Sequence, residues 1–181
     1  KAVIRATSAG DKNVYAECKV VIVKSNVKKG SKVKVGKFTY KVTNMSGVYA
    51  ECNNVTGIPI CSDNVVDMSY AYRYCQKLTG SPICGNNVTN MSYTYRFCQN
   101  LTGSPVCGDK VTTMSGTYSS CTNLTGSPVC GEYVTSMIGT YHDCKNLTGS
   151  PVCGEYVTHM NGVTYSYNDA TYSNCTNLTG S

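Results

Sequence analysis

Val88-Thr89-Asn90-Met91-Ser92-Tyr93-Thr94-Tyr95-Arg96-Phe97-Cys98-Gln99-Asn100-Leu101-Thr102-Gly103-Ser104-Pro105-Val106-Cys107 is one copy of a unit that returns every 23 residues. Slightly varied, the string begins again at Val42, Val65, Val111, Val134 and Val157. All six Met fall in one column (Met45, Met68, Met91, Met114, Met137, Met160) and all five Pro in another (Pro59, Pro82, Pro105, Pro128, Pro151). Eleven of the twelve Cys occupy two more, which only tandem duplication explains.

Within a unit, Val88, Met91, Tyr95, Cys98, Leu101 and Val106 recur, while the Thr, Asn, Ser, Lys, Asp and Glu between them vary. A unit this short cannot bury an apolar face alone, but stacked on its neighbours each recurring column becomes an internal ladder. The core ladder is therefore expected to be the Met column with Tyr72, Tyr95, Tyr118 and Tyr141. Leu101 to Val106 reads as extended, since its Pro forbids a long helix. Spacings of three and four at Val88, Met91 and Tyr95 suit a short helical turn, and Gly108, Gly131 and Gly154 mark a second turn. The prediction is a mainly β chain: a parallel solenoid of about six coils over residues 42–181, with the last coil incomplete.

The pattern Val-Thr-x-Met-x-x-x-Tyr-x-x-Cys followed by Leu-Thr resembles the 23-residue BspA-like leucine-rich repeats of bacterial and protist surface proteins. The resemblance covers residues 42–181 and implies a right-handed solenoid used in adhesion or partner binding. Tyr stands at the usual Phe position, and Gly-Ser-Pro where the family places another leucine-like residue. Residues 1–24, with Ala2-Val3-Ile4-Arg5-Ala6-Thr7 and Val14 to Val23, resemble the closing hairpin of a type 2 bacterial immunoglobulin-like domain. Residues 25–41 alternate Lys and Val and end in Phe38-Thr39-Tyr40, predicting a small antiparallel β segment that connects the two. Both ends are expected to cut a module, so that the chain is a fragment of a longer repetitive protein. From Val157 to Cys175 the interval is eight residues longer than from Val134 to Cys144, so a loop is expected within His159–Ala170.

The cysteine columns allow three arrangements: bridges within a coil, bridges to the next coil, or reduced thiols packed as small apolar groups. The within-coil scheme makes each repeat self-contained. It pairs Cys52–Cys61, Cys75–Cys84, Cys98–Cys107, Cys121–Cys130 and Cys144–Cys153, each worth ~2–4 kcal/mol. Spacings of nine and fourteen, with His142 and His159 off the pattern, do not suit zinc, so no metal and no cofactor are expected.

Asn-x-Ser/Thr triplets recur, and Asn54, Asn100, Asn123, Asn146 and Asn177 are candidate glycan acceptors or, equally, turn-forming members of the duplicated unit. Tyr70, Tyr93, Tyr133, Tyr156, Tyr165 and Tyr167 lie outside the internal column and are candidates for a binding surface. Residues 1–43 carry ten Lys and Arg5 against Asp11 and Glu17, a balance of +9, whereas the rest of the chain carries −3. The Lys residues alternate with Val as on a solvated strand face, so nucleic-acid binding is not expected. No run of about 20 apolar residues suggests membrane insertion. No nucleophile elbow, zinc-protease helix or phosphate loop is present, and no catalytic residue is nominated. The expected role is a non-enzymatic, extracellular surface or adhesion segment, a rigid binding or spacer solenoid. Its partners would be protein or glycan on another cell or matrix, or copies of itself. The alternatives are a structural subunit of a filament, sheath or virion appendage and, more remotely, an ice-binding or carbohydrate-binding appendage.

Overall fold

The computed structural model describes residues 2–7, 15–20, 32–35, 38–41, 43–59, 61–152, 154–160 and 170–178. Near the amino terminus are two antiparallel pairs. β1 (Ala2–Thr7) pairs with β2 (Tyr15–Val20), placing Ile4 opposite Cys18. β3 (Lys32–Val35) pairs with β4 (Phe38–Lys41), placing Val33 opposite Tyr40 and Val35 opposite Phe38. Val33 and Val35 alternate with Lys32 and Lys34 along β3, and Phe38 and Tyr40 with Thr39 and Lys41 along β4. The module boundary expected at residues 24 and 25 lies outside the described residues.

From Thr43 onward, successive 23-residue units lie one on another. Single parallel bridges join Asn44 to Asp67, Asp67 to Asn90, Asn90 to Thr113, Thr113 to Ser136 and Ser136 to His159. The backbone around each bridge has two kinds of amide. Met91, Tyr93, Tyr95 and Phe97 donate to the carbonyls of Thr113, Ser115, Thr117 and Ser119 on the next unit, at 2.8 to 3.0 Å. The amides between them close turns in their own unit: Thr94 to Met91, Arg96 to Tyr93 and Cys98 to Tyr95. Across the unit the direction reverses, and the amides of Thr89 and Thr102 donate to Val66 and Gly80 of the unit before. Nearly every amide of the turn run is thereby satisfied, as a buried backbone requires.

This alternation is why the expected short helical turn is not a helix among the described residues. In a helix all amides point one way; here every second one points to a neighbouring unit. The backbone manages this by passing into the left-handed region twice, at Tyr93 (φ 57°) and Phe97 (φ 63°) in the Met91 unit. The first of these sites is Gly in three other units (Gly47, Gly116, Gly139), where it costs nothing.

Val88, Met91, Tyr95, Cys98 and Leu101 are fully buried, as are their equivalents in the Met114 and Met137 units. The rings of Tyr49, Tyr72, Tyr95, Tyr118, Tyr141 and Tyr172 form one continuous stack, 5.0 to 5.7 Å between centroids and within 10° of parallel. The stack passes from Tyr141 to Tyr172 without a break, so the extra residues, 161–169 of which are outside the described part, leave the column in register. A purely apolar stack would suit Phe. Tyr is needed because the hydroxyls of Tyr95, Tyr118 and Tyr141 reach across the core to the extended side, twelve residues earlier. Tyr118 Oη donates to the Val106 carbonyl at 2.7 Å and accepts from the Val106 amide at 3.1 Å. Tyr95 does the same at Ile83, and Tyr141 at Val129. A second buried polar column, Thr94, Thr117 and Thr140, shares each hydroxyl proton between two Met carbonyls, its own unit's and that of the unit before.

Replacing Tyr118 by Phe keeps the ring but strands the amide and carbonyl of Val106, so unfolding in urea is expected to show a loss of about 1–3 kcal/mol. Tyr133, about half exposed, is the control, and its Phe variant is expected to match the parent.

Candidate binding face

The structure separates the two cysteine columns that the sequence leaves open for bridging. The described cysteines of the stack are free. In the first column the thiol is aimed at the preceding unit: Cys75, Cys98, Cys121, Cys144 and Cys175 donate S–H to the carbonyls of Tyr49, Tyr72, Tyr95, Tyr118 and Tyr141, at 2.9 to 3.0 Å. In the second column the thiols lie against the following unit. The Sγ atoms of Cys61, Cys84 and Cys107 sit 2.8 Å from where a Cβ on Gly85, Gly108 and Gly131 would be. The two thiols of a unit therefore point along the stack in opposite senses, and the cysteines of the bridges expected within coils (Cys52–Cys61, Cys75–Cys84, Cys98–Cys107, Cys121–Cys130) stand free in this arrangement. Cys153, the fifth pair's member, lies outside the described residues. Gly108 thus does more than open a turn, because its missing side chain is the space Cys84 occupies.

Burial pushes these thiols up. Cys61 and Cys107 rise from 9.0 to about 11 and Cys84 to about 12, chiefly through desolvation, with backbone hydrogen bonds opposing the shift. In the first column Cys75 and Cys175 also reach about 11, and burial raises Cys98, Cys121 and Cys144 as well. The core tyrosines Tyr95, Tyr118 and Tyr141 are raised for the same reason.

The candidate glycan acceptors Asn54, Asn100, Asn123, Asn146 and Asn177 are all exposed, and Asn100 also donates from Nδ2 to the Gln76 carbonyl at 2.8 Å. Asn44 and Asn90 instead accept the amides of Ser46 and Ser92, fixing the entry to the turn run. His142 and His159 each bond a neighbouring hydroxyl, on Ser173 and Thr158. Among the described residues no group of three or more His, Cys, Asp or Glu stands together as a metal site would require, and no helix is long and apolar enough to cross a membrane.

Of the tyrosines nominated for contact, Tyr133 and Tyr156 form an exposed pair, 6.4 Å between centroids. Tyr165 and Tyr167 lie outside the described residues. Tyr93 belongs to a larger cluster. Its ring stacks on exposed Tyr70 at 5.0 Å, and beside them Tyr74 stacks on Phe97 at 4.6 Å. Between these two aromatic pairs run two arginines. The Arg73 guanidinium lies 5.7 Å from the Tyr70 ring centre and 4.8 Å from that of Tyr74, and Arg96 lies 5.4 Å from Tyr93 and 5.1 Å from Phe97. Each cation is held between rings, a contact worth ~0.5–1 kcal/mol at a surface and more when desolvated.

Tyr70 is nominated for contact like Tyr93. Arg73, Tyr74, Arg96 and Phe97 do not stand out in the chain read alone, yet a signal is there. The dipeptides Arg73-Tyr74 and Arg96-Phe97 stand where other units carry Ala50-Glu51, Ser119-Ser120, His142-Asp143 and Ser173-Asn174. A search for the columns that vary, and for neighbouring units that vary alike, finds them.

Two outcomes check the thiol geometry. Gly108→Ala is expected to destabilise the chain by about 1–3 kcal/mol through overpacking, and Cys84→Ala, which removes the sulfur from that space, is expected to restore part of the loss in a double-variant cycle read by urea denaturation. For pH, the raised thiols favour the neutral form in the folded chain. Their contribution is complete below about pH 9 and is lost as pH climbs toward the folded values of about 11 to 12, so melting temperature is expected to fall over that alkaline range. No family model, curated protein or solved structure matches the chain.

Proposed function

We propose that the chain is a non-catalytic extracellular surface segment: a right-handed parallel solenoid of leucine-rich type whose outward columns form a rigid binding face. The observation that carries this reading is the contrast between columns. Inward positions such as Val88, Met91, Tyr95, Cys98 and Leu101 are all but invariant from unit to unit and buried. Positions two, five and six residues after each Met range over Gly, Tyr, Ala, Arg, Ser, His, Glu, Asp, Asn and Phe, and where they carry large or charged side chains such as Tyr70, Arg96 and His142 these are half-buried or exposed. A constant frame with a changing exterior suits recognition, because contact residues change without disturbing what holds them. The repeat's resemblance to surface-protein repeats supports the extracellular setting, and a partner of protein or glycan on another cell or matrix follows from it.

Sedimentation of the full chain over a wide concentration range tests this against the assembly alternative. A single monomer at every concentration is the expected result. Filaments that grow with concentration would replace the binding-face reading with a structural subunit.

A further inference from the structure

We propose that the cluster Tyr70, Arg73, Tyr74, Tyr93, Arg96 and Phe97 binds an acidic polysaccharide, a chain of uronic-acid sugars carrying one carboxylate per residue. The inference rests on the chain being a binding face and names the ligand of that face.

The first support is charge. Among the described residues no carboxylate pairs with Arg73 or Arg96, and the Nε atom of each is shielded from water without a hydrogen-bond acceptor. Two like charges thus sit side by side on adjacent units, held in fixed planes by rings on either side. In the arginine column the neighbouring units offer Ala50, Ser119 and His142, so the pair is confined to the Met68 and Met91 units. Glu51 and Asp143 occupy the next column on other units and bound the cationic stretch. A planar fork of donors fixed in this way is matched by a carboxylate.

The second support is backbone strain. Tyr70, Tyr74, Tyr93 and Phe97 all have φ between 57° and 63°. Left-handed backbone costs an L-residue about 1–2 kcal/mol. At the Tyr70 and Tyr93 sites Gly47, Gly116 and Gly139 show that the fold accepts the cheaper residue. At the Tyr74 and Phe97 sites the other units are left-handed too, at Glu51, Ser120, Asp143 and Asn174, so the strain particular to this cluster is that of Tyr70 and Tyr93, the kind found where a surface is shaped for use.

The occupant is selected by what the rings leave open. Tyr70 and Tyr93 cover each other, Tyr74 and Phe97 cover each other, and Tyr93 also lies so close to Gly116 that a Cβ there would meet its ring at 2.5 Å. Single-stranded nucleic acid needs free ring faces on which to stack bases, and these faces are largely taken. An extended acidic peptide places same-face side chains about 6.5–7 Å apart. Within each pair the rings of adjacent units are only 5.0 and 4.6 Å apart, a shorter repeat than such a peptide's. Ring edges, phenolic hydroxyls and fixed guanidiniums suit a ligand dense in hydroxyls and carboxylates.

The test is calorimetric titration of the full chain with polygalacturonate oligomers, and with the same oligomers after carboxyl reduction, poly-glutamate and oligothymidylate. Polygalacturonate is expected to bind, the reduced neutral form not to bind, and binding to weaken as salt rises. Arg73→Gln with Arg96→Gln is expected to lower the affinity about 10-fold or more, while Lys28→Gln with Lys29→Gln, which removes equal charge from the basic amino-terminal segment, leaves it within about twofold. Tyr93→Gly, which relaxes the backbone, is expected to retain or raise stability and still lose affinity. Equal losses in the arginine and lysine variants would reduce the effect to bulk charge and overturn the proposal. Tighter binding of poly-glutamate or oligothymidylate would overturn it in favour of a protein or nucleic-acid ligand. A monomeric chain that ignores polygalacturonate overturns the ligand and leaves the binding-face reading standing, whereas filament formation removes that reading itself.

Discussion

The constraint on which the stack depends is that alternate amides of one short segment serve their own unit and the next. In Met91 to Cys98 every second N–H closes a turn and the others bond the next unit. Neither helix nor strand ladder has this property. It demands left-handed backbone at two fixed places, and those places set which side chains point inward. Met91, Tyr95 and Cys98 fall on the inner side, and Tyr93, Arg96 and Phe97 on the outer. The recurring residues and the variable ones are therefore two consequences of one backbone pattern.

A thin stack has few apolar atoms per residue, so its buried polar groups must be paired without waste. The side chains divide that task. Tyr118 Oη bridges both polar groups of Val106, Thr117 Oγ1 serves two Met carbonyls, and Cys121 Sγ serves the carbonyl of Tyr95. Each link adds a side-chain tie between elements or units to those the backbone makes. A cysteine column read by abundance suggests bridging. Read by its surroundings, it supplies small donors of the right reach, and a disulfide would cost the core these S–H bonds.

The same division of labour explains how much of the chain is legible from its sequence. The 23-residue register is plain, because duplication places Val, Met, Tyr, Cys and Leu in columns and burial keeps them apolar. The partners of those columns are not legible. The Tyr118 hydroxyl meets a residue twelve positions earlier on the opposite side of the core, and no local periodicity encodes that. Spacings of three and four at Val88, Met91 and Tyr95 suggest a helical turn because left-handed sites fall on residues with poor preference for them, among them Tyr74, Tyr93 and Phe97. The nominated contact residues Tyr93 and Tyr133 stand out in the chain only as unexplained aromatics. The arginines that give Tyr93 its setting do not stand out at all. Two arginines, each five positions after a Met, look like ordinary surface charge until stacking brings them together.

Stacking also bears on why the aromatic and arginine residues should be treated as one feature. A lone Tyr in left-handed backbone opposite a Gly column would be a local accident. Here the exchange of Gly for Tyr occurs in two adjacent units, and in the same two units the next left-handed site carries Tyr74 or Phe97 where others carry Glu51, Ser120, Asp143 and Asn174, with Arg before it. Ring stacking, worth ~0.5–1.5 kcal/mol per pair, and the cation contacts offset part of the strain but leave no clear surplus over a Gly-bearing unit. Folding alone therefore gives little reason for the exchange. Interaction with something outside the chain supplies one, since a strained, unpaired, preorganised cation pair gains most when an anion arrives to complete it.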